Sequence, residues 1–406
     1  MNKQKKHIVL GVTGGIAIYK VLDLIRSLQK KDLTVEVIMT KSAQEFITPL
    51  TFRELTGNPV HTEMFNPPKD WTVEHISLAR KADLMAIIPA TANIIGKIAS
   101  GIADDLLTTT VMAMKKPVLL APAMNTAMYE NPIVQKNLSF LNEMGYKIVP
   151  PDAGILLCGE EGKGKLASIE VLEEEILRLI TKQDFLEKKI LITAGPTREY
   201  LDPVRFLSNP SSGRMGYALA CEAARRGGEV VLISGPTHLP LPYGVRYIPI
   251  TTTEQLFNAV LAEMPEIDIF IMAAAPADFR PEMTFPQKMK KTAKVQRELS
   301  LVFNPDVAKT VGERKGKSFL TIFAAESENL RANARDKLIR KNADLVVAND
   351  ITQKGAGFEE MTNKVILLTE KEEKSLPLLS KQEVATEILS SIFRLSRGLS
   401  LVEPID

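Results

Sequence analysis

The apolar run Ile8-Val9-Leu10-Gly11-Val12 leads straight into Thr13-Gly14-Gly15. Behind it, Ile18, Val21, Leu22, Ile25 and Leu28 recur at helical spacing. An uninterrupted apolar run reads as a strand buried on both faces, and strand–tight turn–helix is how a parallel α/β sheet opens. A second opening of this kind begins at Ile190–Thr193, passes through Ala194-Gly195-Pro196-Thr197-Arg198 and reaches a helix at Met215–Arg226. Between them the first pattern runs its course. Strands are predicted at Thr34–Met39, Leu84–Pro89, Pro117–Ala121 and Tyr146–Val149, with a closing helix over Val171–Lys182. After the second opening come strands at Glu229–Ser234, Ile269–Ala273, Leu320–Ala324 and Leu345–Ala348. Val365–Leu368 with Ser375–Leu378 reads as a short two-stranded unit, and Glu383–Phe393 as a terminal helix. The expectation is an α/β protein of two domains, 1–183 and 184–406, each built on a doubly wound parallel sheet.

A chain of 406 residues has room for two such cores. Its formal net charge of +2 supplies no global field for nucleic acid or a membrane surface, so neither is expected as a partner. The two cysteines, Cys158 and Cys221, fall in different predicted domains. That argues against a structural disulfide and for a reducing compartment. The polar start Met1-Asn2-Lys3-Gln4-Lys5-Lys6 is not a secretory signal, and no apolar run reaches spanning length. A cytoplasmic location follows as the expectation.

Ligands of open α/β sheets gather beyond the carboxyl ends of the strands. Small polar residues follow several strands here: Gly14 and Gly15, then Thr40-Lys41-Ser42, then Pro89-Ala90-Thr91-Ala92-Asn93. The glycine pattern is Gly-x-x-Gly-Gly, not the Gly-x-Gly-x-x-Gly of dinucleotide folds, so it is either a phosphate cradle or a merely tight turn. His75, at the start of a predicted helix, is a surface or capping residue or else a functional one. Asn125, in Pro122-Ala123-Met124-Asn125, either satisfies a turn or donates its amide to a substrate carboxylate. Cys158 sits in the glycine-rich polar stretch Cys158-Gly159-Glu160-Glu161-Gly162-Lys163-Gly164-Lys165, which suits a lid better than a core.

These segments, together with Gly101-Ile102-Ala103-Asp104-Asp105-Leu106-Leu107, resemble the flavin-dependent cysteine decarboxylases over nearly the whole first half. Phosphopantothenoylcysteine decarboxylase is the nearest match. The resemblance implies a flavodoxin-like (HFCD flavoprotein) domain that binds FMN. It also implies a chemistry: oxidation of a cysteine thiol to a thioaldehyde, loss of CO2, protonation of the enethiolate and return of the hydride. Carried over residue by residue, His75 is the base or electrostatic residue, Asn125 the carboxylate anchor and Cys158 the late proton donor. Gly14, Gly15, Thr40, Ser42, Thr91, Ala92, Asn93 and Met124 are the flavin-side residues. The lid departs from the family's Ala-Cys-Gly and Gly-Arg-Met, reading Leu157-Cys158-Gly159 and Gly164-Lys165-Leu166.

In the second half, Thr193-Ala194-Gly195-Pro196-Thr197-Arg198-Glu199 is followed by Asp202-Pro203-Val204-Arg205-Phe206-Leu207-Ser208-Asn209 and Ser211-Ser212-Gly213-Arg214. The interleaved apolar residues indicate a packed rather than a solvated loop, and long packed loops are commonly functional. Lys288-Met289-Lys290-Lys291 is either a solvated face or a triphosphate site. Lys337 and Lys341 share one helix face. Asp278 suits a base, a ribose or a metal, and Asn304-Pro305-Asp306-Val307 reads as a helix start.

These segments resemble phosphopantothenate–cysteine ligase, giving a Rossmann-like ligase domain. Their order matches the bifunctional bacterial proteins of coenzyme A synthesis. The resemblance implies CTP and Mg2+: the carboxylate of phosphopantothenate attacks the α-phosphorus, and the cysteine amine then displaces CMP from the acyl-cytidylate. By the same resemblance Lys288, helped by Lys337 and Lys341, meets the triphosphate, and Gly195 binds phosphate. Ala273, Ala274, Ala275, Asp278, Asn304, Pro305, Asp306, Val307 and Phe323 surround nucleotide and substrate. Asn209 holds the acyl-cytidylate and Arg205 assists the second half-reaction. The metal ligands are not legible, and Lys291–Ser300 reads as a flap. The resemblance also implies trimeric decarboxylase and dimeric ligase domains, and hence a homo-dodecamer. Two readings compete with this one: a nicotinamide-dependent reductase, which lacks its glycine fingerprint here, and a non-catalytic flavin-binding subunit, against which His75, Asn125 and Cys158 together argue.

Overall fold

Residues 5–65, 73–155, 159, 161–290, 298–326, 328–350 and 360–402 are described by a computed structural model. The chain divides into two units, Met1–Lys182 and Gln183–Asp406.

The first unit runs β1 (His7–Val12), α1 (Tyr19–Lys30), β2 (Thr34–Met39), α2 (Lys41–Gln44), α3 (Pro49–Thr56), β3 (Val60–His61), α4 (Glu74–Lys81) and β4 (Leu84–Ala90). It continues with α5 (Ala92–Ala99), α6 (Leu106–Ala113), β5 (Val118–Pro122), α7 (Thr126–Tyr129), α8 (Pro132–Glu143) and β6 (Lys147–Ile148). A hairpin of β7 (Asp152–Ile155) and β8 (Glu161–Lys165) precedes α9 (Ile169–Ile180). Six strands join in the order β3-β2-β1-β4-β5-β6, all parallel. Every residue of β1 and β4 is buried, because helices cover both faces and leave no solvent side on which to alternate. Leu24, Ile25 and Leu28 of α1 and Leu172 and Ile176 of α9 pack on one face. Ile94 and Ile95 of α5 and Leu106 and Leu107 of α6 pack on the other. Apart from the two-residue edge strand β3, the order is flavodoxin-like, with its switch point between β1 and β4.

The second unit begins β9 (Lys189–Ala194), β10 (Arg198–Tyr200), β11 (Phe206–Ser208), α10 (Arg214–Arg225), β12 (Glu229–Ser234), β13 (Arg246–Pro249) and α11 (Thr253–Glu263). Next come β14 (Ile269–Met272), β15 (Phe279–Pro281), β16 (Leu301–Phe303), α12 (Val307–Arg314), β17 (Phe319–Glu326), α13 (Leu330–Arg340) and β18 (Leu345–Asp350). It ends with β19 (Thr362–Asn363), β20 (Val365–Leu368), β21 (Glu373–Ser375), β22 (Leu379–Ser380) and α14 (Lys381–Leu395). The main sheet is β13-β12-β9-β14-β17-β18-β20-β21. Its first six strands are parallel in Rossmann order, and the last two are antiparallel.

One expectation is corrected here. Val365–Leu368 is not half of a separate two-stranded unit: it pairs with β18 and extends the main sheet, and its hairpin partner is Glu373–Ser375. Val365, Leu367 and Leu368 are buried, which an isolated hairpin would not achieve. Pro377 has no N–H to give a ladder, so the strand cannot usefully extend through it. Among the described residues no helix is long and apolar enough to cross a membrane.

The start of the second unit is pinned by Arg226. Its guanidinium grips both oxygens of Asp184 at 2.8 and 2.7 Å, lies 4.8 Å above the Phe185 ring and donates to Ser390 on α14. Both members of the pair are buried. Arg226→Ala would strand a buried carboxylate, so it should destabilise the second unit by about 3–5 kcal/mol. Calorimetry of the full-length variant should show that unit's transition shifted down with the first unit's unchanged.

Candidate functional sites

The turns after β1, β2, β4 and β5 enclose a cavity of about 1030 Å3. Its lining includes Gly14, Gly15, Thr40, Ser42, Thr91, Ala92, Asn93, Met124 and Asn125. Close backbone approach builds it. A Cβ on Gly14 would lie 2.5 Å from Ser42 Cβ and 2.9 Å from the Ser42 carbonyl oxygen, so only glycine lets these two turns meet. Thr13 Oγ1 donates to the Pro89 carbonyl at 2.6 Å and ties the first turn to the third. Thr40 and Thr91 cap α2 and α5, accepting from Ala43 N and Ile94 N. Lys20, Lys41, Lys97 and Lys165 also line the cavity. Asp104 and Asp105 hold Lys97 at 2.7 and 3.3 Å. Volume, helix starts, hydroxyls and cations suit an elongated aromatic ligand ending in a phosphate. Lys97 was not singled out in the sequence and Lys165 was read only as part of the lid, because only the fold brings them to this edge.

Asn125 caps α7: its Oδ1 accepts from Ala127 N at 2.8 Å. With that oxygen committed, Nδ2 is the end able to donate to a carboxylate. The β7–β8 hairpin is seated on the same turn. Met124 N donates to Gly164 O at 3.0 Å, and a Cβ on Gly164 would lie 2.2 Å from the Met124 carbonyl oxygen. Gly162 is as tightly placed, with a virtual Cβ 2.4 Å from Thr126 Oγ1. Cys158 belongs to the segment joining these two strands and lies outside the described residues. His75 is the second residue of α4, half-buried, and is not among the residues lining this cavity within one chain. Its helix packs on α6, whose first residues do line it.

In the second unit, the loop after β14 is the hub. Gly195, at φ +71°, turns the chain so that its carbonyl accepts from Ala275 N at 2.9 Å. Thr193 Oγ1 accepts from Ala274 N at 3.1 Å; Ala273 precedes it, directly after β14. Thr197 Oγ1 accepts from Ala277 N at 2.9 Å and meets Thr253 Oγ1 at 2.9 Å, while buried Glu199 accepts from Thr253 N and Oγ1, both at 2.8 Å. This buried network was not anticipated; nothing in the linear pattern pairs Glu199 with Thr253. Asn209 Nδ2 donates to the carbonyls of Ala275 and Pro276 at 3.3 and 2.9 Å. Asn304 Nδ2 donates to Ala277 O at 2.9 Å, and Asn304 N to Asp278 O at 2.9 Å. Asn304 and Pro305 line a shallow pocket of about 410 Å3 with Glu254, Phe257, Asn258, Arg280 and Phe303.

Asp202 organises the other side. It is fully buried, which opposes ionisation, but the N–H groups of Val204, Met289 and Arg205, with the Arg205 charge, hold its carboxyl below the usual range. Arg205 bonds Asp202 at 2.8 Å and Met289 O at 3.0 Å, fastening the segment that carries exposed Lys288. Lys337 is engaged by Glu326 at 2.6 Å, and Lys341 by Asp306, which also caps α12 before Val307. Phe323 is half-buried against one core cluster of the second unit, and Asp278 is exposed. Lys381, buried at the start of α14, is pushed down to about 8 by burial and by the Arg214 charge at the start of α10, partly offset by Glu360. Among the described residues no group of three or more His, Cys, Asp or Glu side chains is placed to hold a metal ion.

A flavodoxin-like domain with a large cavity at its strand ends precedes a Rossmann-like domain whose strand-end loops are hydrogen-bonded around the turn after β14. A family model described as Flavoprotein matches residues 1–181, and one described as DNA/pantothenate metabolism flavoprotein C-terminal domain matches residues 185–395. The coenzyme A biosynthesis bifunctional protein CoaBC of Bacillus subtilis (strain 168) is 44% identical, covering 97% of this chain and 98% of its own length. The Vibrio vulnificus (strain YJ016) protein of that name is 42% identical over 95% and 97%. The Escherichia coli (strain K12) protein is 41% identical over 97% and 98%. A crystal structure of the C-terminal domain of CoaBC aligns with 53% of this chain and 100% of its own at 39% identity and a TM-score of 0.46. The chain belongs to this family of bifunctional coenzyme A biosynthesis enzymes, a flavoprotein decarboxylase and a ligase in one polypeptide.

Gly14→Ala should force the β1 and β2 turns apart. The purified variant should keep its far-ultraviolet circular dichroism but carry well below the wild-type ratio of flavin absorbance to protein.

Proposed function

We propose that this chain joins cysteine to 4'-phosphopantothenate with CTP in its second unit, then decarboxylates the product, 4'-phosphopantothenoylcysteine, to 4'-phosphopantetheine in its first. The observation that supports this reading is a strand-edge site in each unit: a cavity of about 1030 Å3 in the first and a hydrogen-bonded loop hub in the second.

In the ligase half, the substrate carboxylate attacks the α-phosphorus of CTP and pyrophosphate leaves. The amine of cysteine then attacks the acyl-cytidylate, forming the amide and releasing CMP. Gly195 and the start of α10 hold phosphate through backbone donors. Lys288 neutralises the triphosphate, and Lys337 and Lys341 exchange their carboxylate partners for phosphate oxygens. Mg2+ bound with the nucleotide would neutralise charge on the triphosphate beside these lysines. Ala273–Ala275, Asp278, the Asn304–Val307 turn and Phe323 frame the nucleotide, and Asn209 retains the acyl-cytidylate. Arg205, fixed by Asp202, assists the amine's attack.

In the decarboxylase half, bound FMN supplies a reversible two-electron acceptor for the carbon that carries the thiol. Gly14, Gly15, Thr40, Ser42, Thr91, Ala92, Asn93 and Met124 hold it. Asn125 Nδ2 grips the carboxylate that leaves as CO2, His75 acts as base or as a charge beside it, and Cys158 Sγ returns a proton to the enethiolate. His75 stands outside the one-chain cavity, and Ile16, Tyr19 and Met128 line that cavity while more than 45% exposed. Both facts favour a site completed by a neighbouring copy. A homo-dodecamer of trimeric decarboxylase and dimeric ligase domains, acting in the cytoplasm, accommodates this.

Incubation with phosphopantothenate, cysteine, Mg2+ and either CTP or ATP tests the whole reading. Mass analysis should find phosphopantetheine, CMP and pyrophosphate with CTP; a chain that makes no phosphopantothenoylcysteine with either nucleotide would refute the ligase half. Asn125→Asp keeps an equally good helix cap but turns the donor into an acceptor. It should retain flavin while kcat/KM for CO2 release falls about 10- to 100-fold, as expected from losing a hydrogen bond to a charged group worth roughly 1.5–3 kcal/mol.

A further inference from the structure

Outside the cavity, the first unit holds a cluster of charge, buried at its centre, that the chemistry above does not use. Glu36 on β2 is its centre, with its side chain only 6% exposed. His61, the last residue of β3, places Nε2 3.6 Å from one Glu36 oxygen, and its Nδ1 is hydrogen-bonded to Glu74. His7 on β1 places Nε2 3.7 Å from the other oxygen, and Lys81 bonds that same oxygen. Glu74 and Lys81 are the first and last residues of α4. One buried carboxylate therefore bonds the last residue of this helix directly and lies within ion-pair distance of the imidazole that bonds its first. His75 is the residue next to Glu74.

With Glu36, Glu74 and Lys81 charged, one imidazolium balances the cluster, and His61, the only one of its two imidazoles placed between both carboxylates, is positioned to carry it; without it the cluster holds uncompensated negative charge. Among the described residues, the groups facing His61 are Glu36 from β2, Glu74 from α4 and, across Glu36, His7 and Lys81. The segment of α6 that packs on α4, Leu106–Ala113, has no ionisable side chain. Leu78 buries the middle of α4 in the core, so the cluster governs its ends.

We propose that His61 is a positioning residue: its imidazolium bridges Glu36 and Glu74, holds the first turn of α4, and so keeps His75 in register for decarboxylation. This rests on the role given to His75 above. Burial disfavours the imidazolium, but the two carboxylates outweigh burial and raise its pKa above the ordinary imidazole value of about 6.5. The sign follows. The bridge's contribution is fully present below the ordinary value and is lost as pH rises through the raised one. Glu36 is held far below the usual carboxylate range: burial opposes ionisation, but His61, His7 and Lys81 overcome it. It therefore stays ionised throughout that window.

The test uses the full-length FMN-loaded protein with supplied phosphopantothenoylcysteine, following CO2 release from neutral to alkaline pH. In parallel, hydrogen exchange at histidine C2, read by mass spectrometry with and without flavin, gives each imidazole its own midpoint. The chain has only four histidines, so the signals are assignable by peptide. The alkaline fall in kcat should share its midpoint with His61, not with His75. Glu74→Gln should move both down by about one pH unit, as expected for loss of an opposite charge. His61→Gln should abolish that limb and lower kcat about tenfold with KM unchanged. If His61→Gln folds poorly, Glu74→Gln, at a position with a 32% exposed side chain, carries the test alone. A limb that stays at its wild-type midpoint in both variants, or that tracks His75, overturns the proposal. Wild-type CO2 release by His75→Asn would instead overturn the underlying role of His75.

Discussion

Both halves depend on backbone segments approaching more closely than a side chain would permit. In the first unit the glycine lies on the turn after β1, where Gly14 meets Ser42. In the second it lies on the turn after β12, where a Cβ on Gly235 would fall 1.7 Å from the Pro196 carbonyl oxygen. Gly216 continues this logic, letting α10 press on Ala194 and the Thr193 carbonyl at the end of β9. The two sheets thus bring the turns of adjacent parallel strands into contact at their carboxyl ends. That contact turns a row of loops into a binding surface, with helix starts and hydroxyls already aimed at it.

Polar side chains then fix the loops that the glycines bring together. Thr13 holds the β4 turn and Asn125 holds its own. Asp202, Glu199 and Thr253 hold the loops of the second unit from beneath. Each is buried or part-buried and satisfied, so these loops are rigid scaffolding rather than solvated connections. The β7–β8 hairpin adds a second layer over the Asn125 turn through Gly162 and Gly164, which explains the glycine spacing of that stretch.

Much of this was legible in the sequence because parallel strands buried on both faces leave uninterrupted apolar runs. β1, β4, β5, β12, β14 and β18 announced themselves this way, and β2, β9 and β17 did so despite a single polar residue within the run. Residues following those runs are placed at the carboxyl edge by topology alone, so Gly14, Ser42, Thr91 and Asn125 could be grouped without coordinates. What failed was pairing that depends on distant partners. The sequence pattern at Val365–Leu368 fits an isolated hairpin as well as an added edge, and only β18 decides. Glu36 reads as one polar residue interrupting an apolar strand; that it gathers His7, His61 and Lys81 needs three other elements. The family roles of the second unit were read from motif resemblance, because Lys337 and Lys341 look like an ordinary solvated stripe.

A crystal structure of the FMN-loaded protein would test the central claim most directly, by asking where the isoalloxazine lies. The account predicts its phosphate at the Gly14–Ser42 contact and the start of α5, with the ring reaching toward Asn125. A flavin bound away from the carboxyl ends of β1, β2 and β4, or held by the second unit's loops, would contradict it.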